Sequence, residues 1–302
     1  MARTLIIGSA GDDELRGTAG HDDIIAGAGM DFIFGGAGDD FVLGEAGIDY
    51  LDGEDGDDRL FGGDDNDVLR GGAGADLVSG DAGNDWLSGG DGRTADSGYD
   101  QLLGGAGDDY IYSENADLID GGSGDDFAVI VRQSSSVAFK ADFSTPHRVQ
   151  TLADGTVITG VERVSFSGGS GADIIRAGDG ADELRGGAGA DQLWGGGGID
   201  ILDGGSGRDR LVGGAGADLF YFSYGTNRDR IIDFVQGEDR IGLNGLFATV
   251  TFDKILAATS RDGSTGLVTI DLSQLGGAPA DRIELLTDPA QAFAFTPADF
   301  VL

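Results

Sequence analysis

The sequence predicts an all-β fold: a parallel β-roll, a right-handed β-solenoid, in two repeat blocks with a β-rich insertion and a C-terminal cap. Three observations predict it. Aspartate and an aliphatic residue recur in phase every nine residues through most of the first two-thirds of the chain. Glycine, 58 of 302 residues, clusters between them. Each nonamer ends in three residues with an aliphatic at the centre, the alternation of a short strand.

The chain opens Met-Ala-Arg-Thr-Leu-Ile-Ile-Gly8, an apolar stretch too short for the core of an export signal. Nothing in the sequence approaches a membrane span. Cutting from Gly8 yields GSAGDDELR, GTAGHDDII, AGAGMDFIF, GGAGDDFVL, GEAGIDYLD, GEDGDDRLF, GGDDNDVLR, GGAGADLVS and GDAGNDWLS without a gap. Aspartate holds the sixth place in all nine and an aliphatic the eighth; glycine holds the fourth place except at Asp65. A six-residue insertion around Arg93 and Asp96 then interrupts the period, GGAGDDYIY restores it, 113–120 is degenerate and one residue short, and GGSGDDFAV closes the block. A second block, 168–221, holds six more nonamers, again with aspartate sixth. The expected organisation is a first roll over 1–129, a β-rich connecting segment over 130–167, a second roll over 168–221 and a cap over 222–302.

The aliphatic ladder of Leu15, Ile24, Ile33, Val42, Leu51, Leu60, Leu69, Val78 and Leu87 is expected to share one interior. Glycine in the first six places permits the positive-φ conformations of tight turns. A disordered acidic coil would have no use for an in-phase aliphatic ladder. Four prolines exclude collagen, and the absence of cysteine excludes disulfides and thiolate metal sites.

The nonapeptide G-G-x-G-x-D-x-U-x, with U aliphatic, is similar to the repeat of the RTX (hemolysin-type) calcium-binding proteins. That resemblance implies one coil turn per two nonamers, so residues eighteen apart stack. Asp13, Asp31, Asp49, Asp67 and Asp85 then fall on one edge and Asp22, Asp40, Asp58 and Asp76 on the other. Stacked strands lie about 4.8 Å apart. At that distance two bare carboxylates repel by roughly 3–4 kcal/mol at an effective dielectric near 20. Calcium, with oxygen ligands at about 2.3–2.6 Å, fits between them, and turn carbonyls would complete its shell. The implied ligands also include Asp100, Asp109 and Asp126, and in the second block Asp173, Asp182, Asp191, Asp200, Asp209 and Asp218. Pairs of repeats n and n+2 allow roughly ten calcium ions. Carboxylates and carbonyls suit calcium better than magnesium or zinc, and neither His21 nor His147 occupies a ligand position.

The 54 acidic against 19 basic residues leave a net charge of −35, which repels nucleic acid and anionic membranes and attracts cations. No H-E-x-x-H, G-x-S-x-G, phosphate loop or EF-hand is present, so the chain is expected not to be an enzyme. Segment 130–166 is β-rich around an Asp154-Gly155 turn signal. Asp229-Arg-Ile-Ile-Asp-Phe234 resembles the region that follows β-rolls in serralysin-type proteins. The ending Asp299-Phe-Val-Leu302 resembles that of substrates of type I secretion. The resemblance therefore implies export to the extracellular space or cell surface by a type I machinery, and folding there on calcium. One further feature lies outside the family pattern. The seventh places of odd-numbered repeats read Glu14, Phe32, Tyr50, Val68, Trp86, Tyr110 and Phe127, against Asp23, Phe41, Arg59, Leu77 and Gln101 in the even ones. Such a stripe is expected to be a contact surface for another segment, a second copy or a surface polysaccharide.

Overall fold

The computed structural model describes residues 3–90, 98–222, 225, 227–243, 250–287 and 293–302. The insertion around Arg93 and Asp96 lies outside the described residues. Backbone contacts divide the chain into two compact units, Met1–Val131 with Pro146–Glu162 and Arg132–Thr145 with Arg163–Leu302. Each unit is a β-solenoid built from parallel strands.

In the first unit successive strands alternate between two sheets. Phe32–Ala37 pairs with Tyr50–Asp55, which pairs with Val68–Arg70. The intervening Phe41–Ala46 pairs instead with Asp22–Ala28 and Arg59–Asp64. Partners such as Ile33 and Leu51 stand eighteen residues apart, so one turn is two nonamers. The eighth-place residues Ile24, Ile33, Val42, Leu51, Leu60, Leu69, Val78 and Leu87 are fully buried. Each contributes about 1.5–3 kcal/mol of burial. Leu15 is only half-buried, because Glu14–Arg16 is the terminal strand of its sheet.

Glycine serves two purposes that the sequence does not separate. Second- and fourth-place residues such as Gly36 (φ 107°) and Gly38 (φ 114°) occupy the left-handed region. First-place residues such as Gly35 do not. There a Cβ would stand 2.7 Å from Asp40 Oδ2 and 2.7 Å from the carbonyl oxygen of Gly53 on the next turn. Space for a side-chain oxygen, rather than backbone freedom, dictates glycine at that place. At these second and fourth places four non-glycine residues accept positive φ, Glu45, Glu54, Asp65 and Asp81 (φ 69–78°), each bearing local strain.

Irregular stretches keep the register. Gln101–Ala106 pairs with Leu77–Ala82 across a spacing of twenty-four residues, so the insertion leaves the strand ladder intact. The segment 130–167, set apart by its composition, is divided between the two units because its strands extend the solenoids. Val157–Thr159 adds a parallel strand to Leu118–Ser123 and folds back on Gln150–Thr151 through the Asp154-Gly155 turn. In the second unit, Lys140–Asp142 pairs with Ile174–Arg176 and Arg163–Ser167 with Glu183–Arg185.

The second unit likewise continues past its last nonamer. Arg228–Ile231 pairs with Arg210–Ala215, and Arg240–Gly242 with Leu219–Tyr221. The terminal Phe300–Val301 is the next strand of that sheet. Buried Asp299 fixes it by accepting hydrogen bonds from the N–H groups of Gly237 (3.1 Å) and Thr296 (2.6 Å). On the other side Arg282–Leu286 pairs with Arg228–Ile231, held by buried Glu284 between the guanidinium groups of Arg228 and Arg230. No helix among the described residues is long and apolar enough to cross a membrane.

Candidate metal centre

The sixth-place aspartates line the turns. All except Asp13 are at most 3% exposed. From Asp31 onward each uses one oxygen to join successive coils: Asp31 Oδ1 accepts from the N–H of Asp13 (2.7 Å), Asp49 Oδ1 from Asp31 (2.9 Å) and Asp67 Oδ1 from Asp49 (2.8 Å). On the other edge Asp40 accepts from Asp22 (2.8 Å), Asp58 from Asp40 (2.7 Å) and Asp76 from Asp58 (2.8 Å). The chain continues to Asp85, Asp100, Asp109 and Asp126. In the second unit Phe139 and Val164 donate to Asp173 and Asp182, and Asp191, Asp200, Asp209 and Asp218 follow in the same way. The picture of bare carboxylates stacked against each other therefore needs correction. A backbone N–H separates successive side chains and satisfies half of each.

The other half is left over. Oδ2 of Asp31, Asp40, Asp49, Asp58, Asp67, Asp85, Asp109, Asp126, Asp173, Asp191, Asp200, Asp209, Asp218 and Asp229 is buried and accepts no hydrogen bond. An unpaired buried carboxylate oxygen is costly. Its surroundings show what it lacks. At Gly44 a Cβ would meet Asp49 Oδ2 and the carbonyl oxygen of Gly62 at 2.5 Å each, and at Gly53 the equivalent pair lies closer still. A carboxylate oxygen and a carbonyl from the following turn thus converge on one glycine-lined space.

This donor set consists of oxygen alone. Among the described residues no three acidic or imidazole side chains gather at one point. An ion here would take one or two carboxylates from stacked turns and the rest of its shell from turn carbonyls. Hard ligands in that mixture, without geometric rigidity, fit calcium.

Electrostatics agree. Without a cation, burial pushes Asp67 up to about 8 and Asp58, Asp109, Asp191 and Asp200 to about 7, from an ordinary value of 3.8. Repulsion from neighbouring aspartates adds to the effect. Asp49 and Asp126 rise to about 6 for the same reasons. A buried column that resists ionisation at neutral pH is a column that needs positive charge.

Three members of the ladder escape nonapeptide spacing. Asp117 accepts from the N–H of Asp100 (3.2 Å), Asp229 from Asp209 (3.0 Å) and Asp239 from Asp218 (3.0 Å). Glu162 takes the same role for Asp126 (3.0 Å). Their offsets of 17, 20, 21 and 36 residues hide them from a strict period.

At some positions the protein itself replaces the ion. Asp13 Oδ2 accepts from the N–H (2.6 Å) and hydroxyl (2.8 Å) of Ser9, and Asp22 Oδ2 from the N–H of Thr18 (2.5 Å). Asp117 Oδ2 accepts from the Ser113 hydroxyl (2.7 Å) and Asp239 Oδ2 from the N–H of Val235 (2.7 Å). Composition does not mark such a step: the turns with Ser123, Ser170 and Ser206 leave Oδ2 of Asp126, Asp173 and Asp209 unpartnered, and Asp239 is satisfied without serine or threonine.

The odd-repeat stripe lies on one outer sheet face of the first unit, its members aligned by strand register. Trp86 stacks on Tyr110 (6.1 Å, 10°), Tyr110 meets Phe127 (5.5 Å), and Phe32 meets Tyr50 (6.1 Å). Val68 interrupts the rings, and the Arg70 guanidinium fills the gap, 5.4 Å from the Tyr50 ring and 5.3 Å from Trp86. Phe32 is 48% exposed and the other rings are half-buried.

Comparison with known proteins agrees with this geometry. The family described as RTX calcium-binding nonapeptide repeat (4 copies) matches residues 7–42, 34–69, 61–93, 94–115, 167–202 and 194–227, more than half of the chain. No curated protein matches the chain. Among solved structures, the AlgE6R3 subunit of the Azotobacter vinelandii mannuronan C5-epimerase is similar over 43% of this chain and 77% of its own, at 31% identity and a TM-score of 0.34. The extracellular lipase LipA of Serratia marcescens is similar over 81% of this chain at 20% identity and a TM-score of 0.36; the match spans 40% of that lipase.

Proposed function

The chain belongs to the RTX calcium-binding nonapeptide repeat family, and from that premise we propose a secreted protein that folds on extracellular calcium and then acts as a structural or interaction protein. The observation that carries this reading is the column of buried, unpartnered Oδ2 atoms. Inside a cell, where calcium is scarce, a chain of net charge −35 repels itself and stays unfolded, a state suited to passage through a type I exporter. Outside, ions bound at about 10⁻⁴–10⁻³ M, as in extracellular modules, supply the folding free energy. Some ten ions would fill the two repeat blocks.

Far-UV circular dichroism during a calcium titration tests this, with magnesium as control. A cooperative gain of β-signal with calcium alone is expected. Full β-signal in chelator at neutral pH would sink the reading.

The half-exposed rings of the stripe support an interaction role rather than an enzymatic one. Planar rings in register along a solenoid suit a surface polysaccharide lying along the same axis, sugar faces against aromatic faces. A polar cavity of about 240 Å³ in the C-terminal segment is lined by Thr259, Ser260, Thr269, Asp271, Gln274 and Arg282 among others. Trp86→Ala is expected to reduce retention on polysaccharide columns several-fold at unchanged calcium-induced ellipticity. Equal retention of variant and wild type would remove the stripe from the binding surface.

A further inference from the structure

We propose that a calcium ion binds between Asp209 and Asp229, outside the nonapeptide repeats, and fastens the C-terminal segment to the second roll. The inference rests on the reading of the ladder as a calcium column. It assigns an ion to a residue that the repeat period does not reach: Asp229 stands twenty residues after Asp209, in the sequence that follows the last nonamer.

Asp229 reproduces both halves of the ladder geometry. Its Oδ1 accepts from the N–H of Asp209 (3.0 Å). Its Oδ2 is buried without a partner, as is Asp209 Oδ2, and the side chain is 1% exposed. The two carboxyl groups interact directly across the inter-turn space, and Oδ2 of neither accepts from a donor elsewhere among the described residues. A third carboxylate, Asp203, adds negative charge nearby. On the Asp209 side a Cβ at Gly204 would stand 2.6 Å from Asp209 Oδ2, so glycine again leaves room beside the carboxylate. Oxygen donors and concentrated negative charge select a hard divalent cation.

Asp239 provides the contrast. It also extends the ladder, accepting from the N–H of Asp218 (3.0 Å), but its Oδ2 is taken by the N–H of Val235 (2.7 Å). One flanking step calls for an ion and the other does not. The consequence is mechanical. Asp229 lies in Arg228–Ile231, which pairs with Arg282–Leu286 and is clamped to it through Glu284. An ion at Asp229 therefore couples the order of this terminal sheet to the filling of the roll.

The test counts bound calcium by native mass spectrometry in saturating calcium for the full chain, Asp229→Asn and Asp239→Asn. Asparagine keeps the shape and the Oδ1 acceptor but removes the charge. One ion fewer in Asp229→Asn, and an unchanged count in Asp239→Asn, is expected. A full complement in Asp229→Asn would overturn the inference while leaving the calcium column standing; a wild-type chain that binds no calcium would overturn the column itself. Amide exchange in saturating calcium gives a second reading: the N–H of Asp209 is expected to be less protected in Asp229→Asn than in Asp239→Asn, and equal protection in the two would also overturn the site.

Discussion

Replacing Asp67 by asparagine is expected to destabilise the calcium-loaded first unit by about 3–5 kcal/mol, the cost of breaking a buried charge arrangement. Asp67 sits mid-ladder, with Asp49 before it and Asp85 after, so its carboxylate borders two inter-turn spaces. In chelator the sign reverses. Burial holds the Asp67 carboxylate up at about 8, so ionising it at neutral pH opposes folding, and a neutral amide removes that opposition. Asp67→Ala would do further harm, since the N–H of Asp49 loses its acceptor, at about 1–3 kcal/mol. Asp22→Asn is the control: Oδ2 of Asp22 already accepts from its own turn, so calcium-dependent stability should change by less than about 1 kcal/mol. Chemical denaturation in calcium measures all three, and the pH at which β-signal appears in chelator, expected to be higher in Asp67→Asn than in wild type, reads the reversed sign. A loss in calcium with a lower onset pH in chelator would mean that the residue serves shape and not charge.

Acidification is expected to act in opposite directions with and without calcium. Folded-state values of about 6 to 8 for Asp49, Asp58, Asp67, Asp109, Asp126, Asp191 and Asp200 stand above the ordinary 3.8, with burial as the leading cause. For an acid whose value rises on folding, the protonated form favours the folded state. The stability from these groups is fully present below pH 4 and is lost as pH climbs through 6 to 8. In chelator the roll should thus gain β-signal between pH 8 and pH 5. In calcium, protons compete with the ion for the same Oδ2 atoms, so the midpoint calcium concentration should rise as pH falls, by about tenfold per unit for each proton displaced per ion. Circular dichroism titrations at pH 5.5 and 7.5 read both effects. A calcium midpoint independent of pH would show that protonatable carboxylates are not the ligands.

The solenoid, its eighteen-residue turn, its core and the aspartate edge are legible in the residues alone, because each depends on a short period repeated many times. Aspartate sixth and aliphatic eighth place Asp58 in the turn and Leu60 in the core whatever surrounds them. Where the period fails, contacts in space take over. Asp117, Asp229 and Asp239 join the ladder because the preceding aspartate's N–H finds them in space, at offsets no nonamer predicts. Segment 130–167 has no period, yet its strands stack on both units because an open strand edge pairs with whatever extended chain reaches it. Chemistry within the ladder was likewise a matter of contacts. The pattern marks Asp13 and Asp31 alike, but a Ser9 hydroxyl satisfies Oδ2 of the first and no donor among the described residues satisfies Oδ2 of the second. A repeat specifies where a carboxylate stands. Whether it needs an ion depends on which donors the fold brings to its second oxygen.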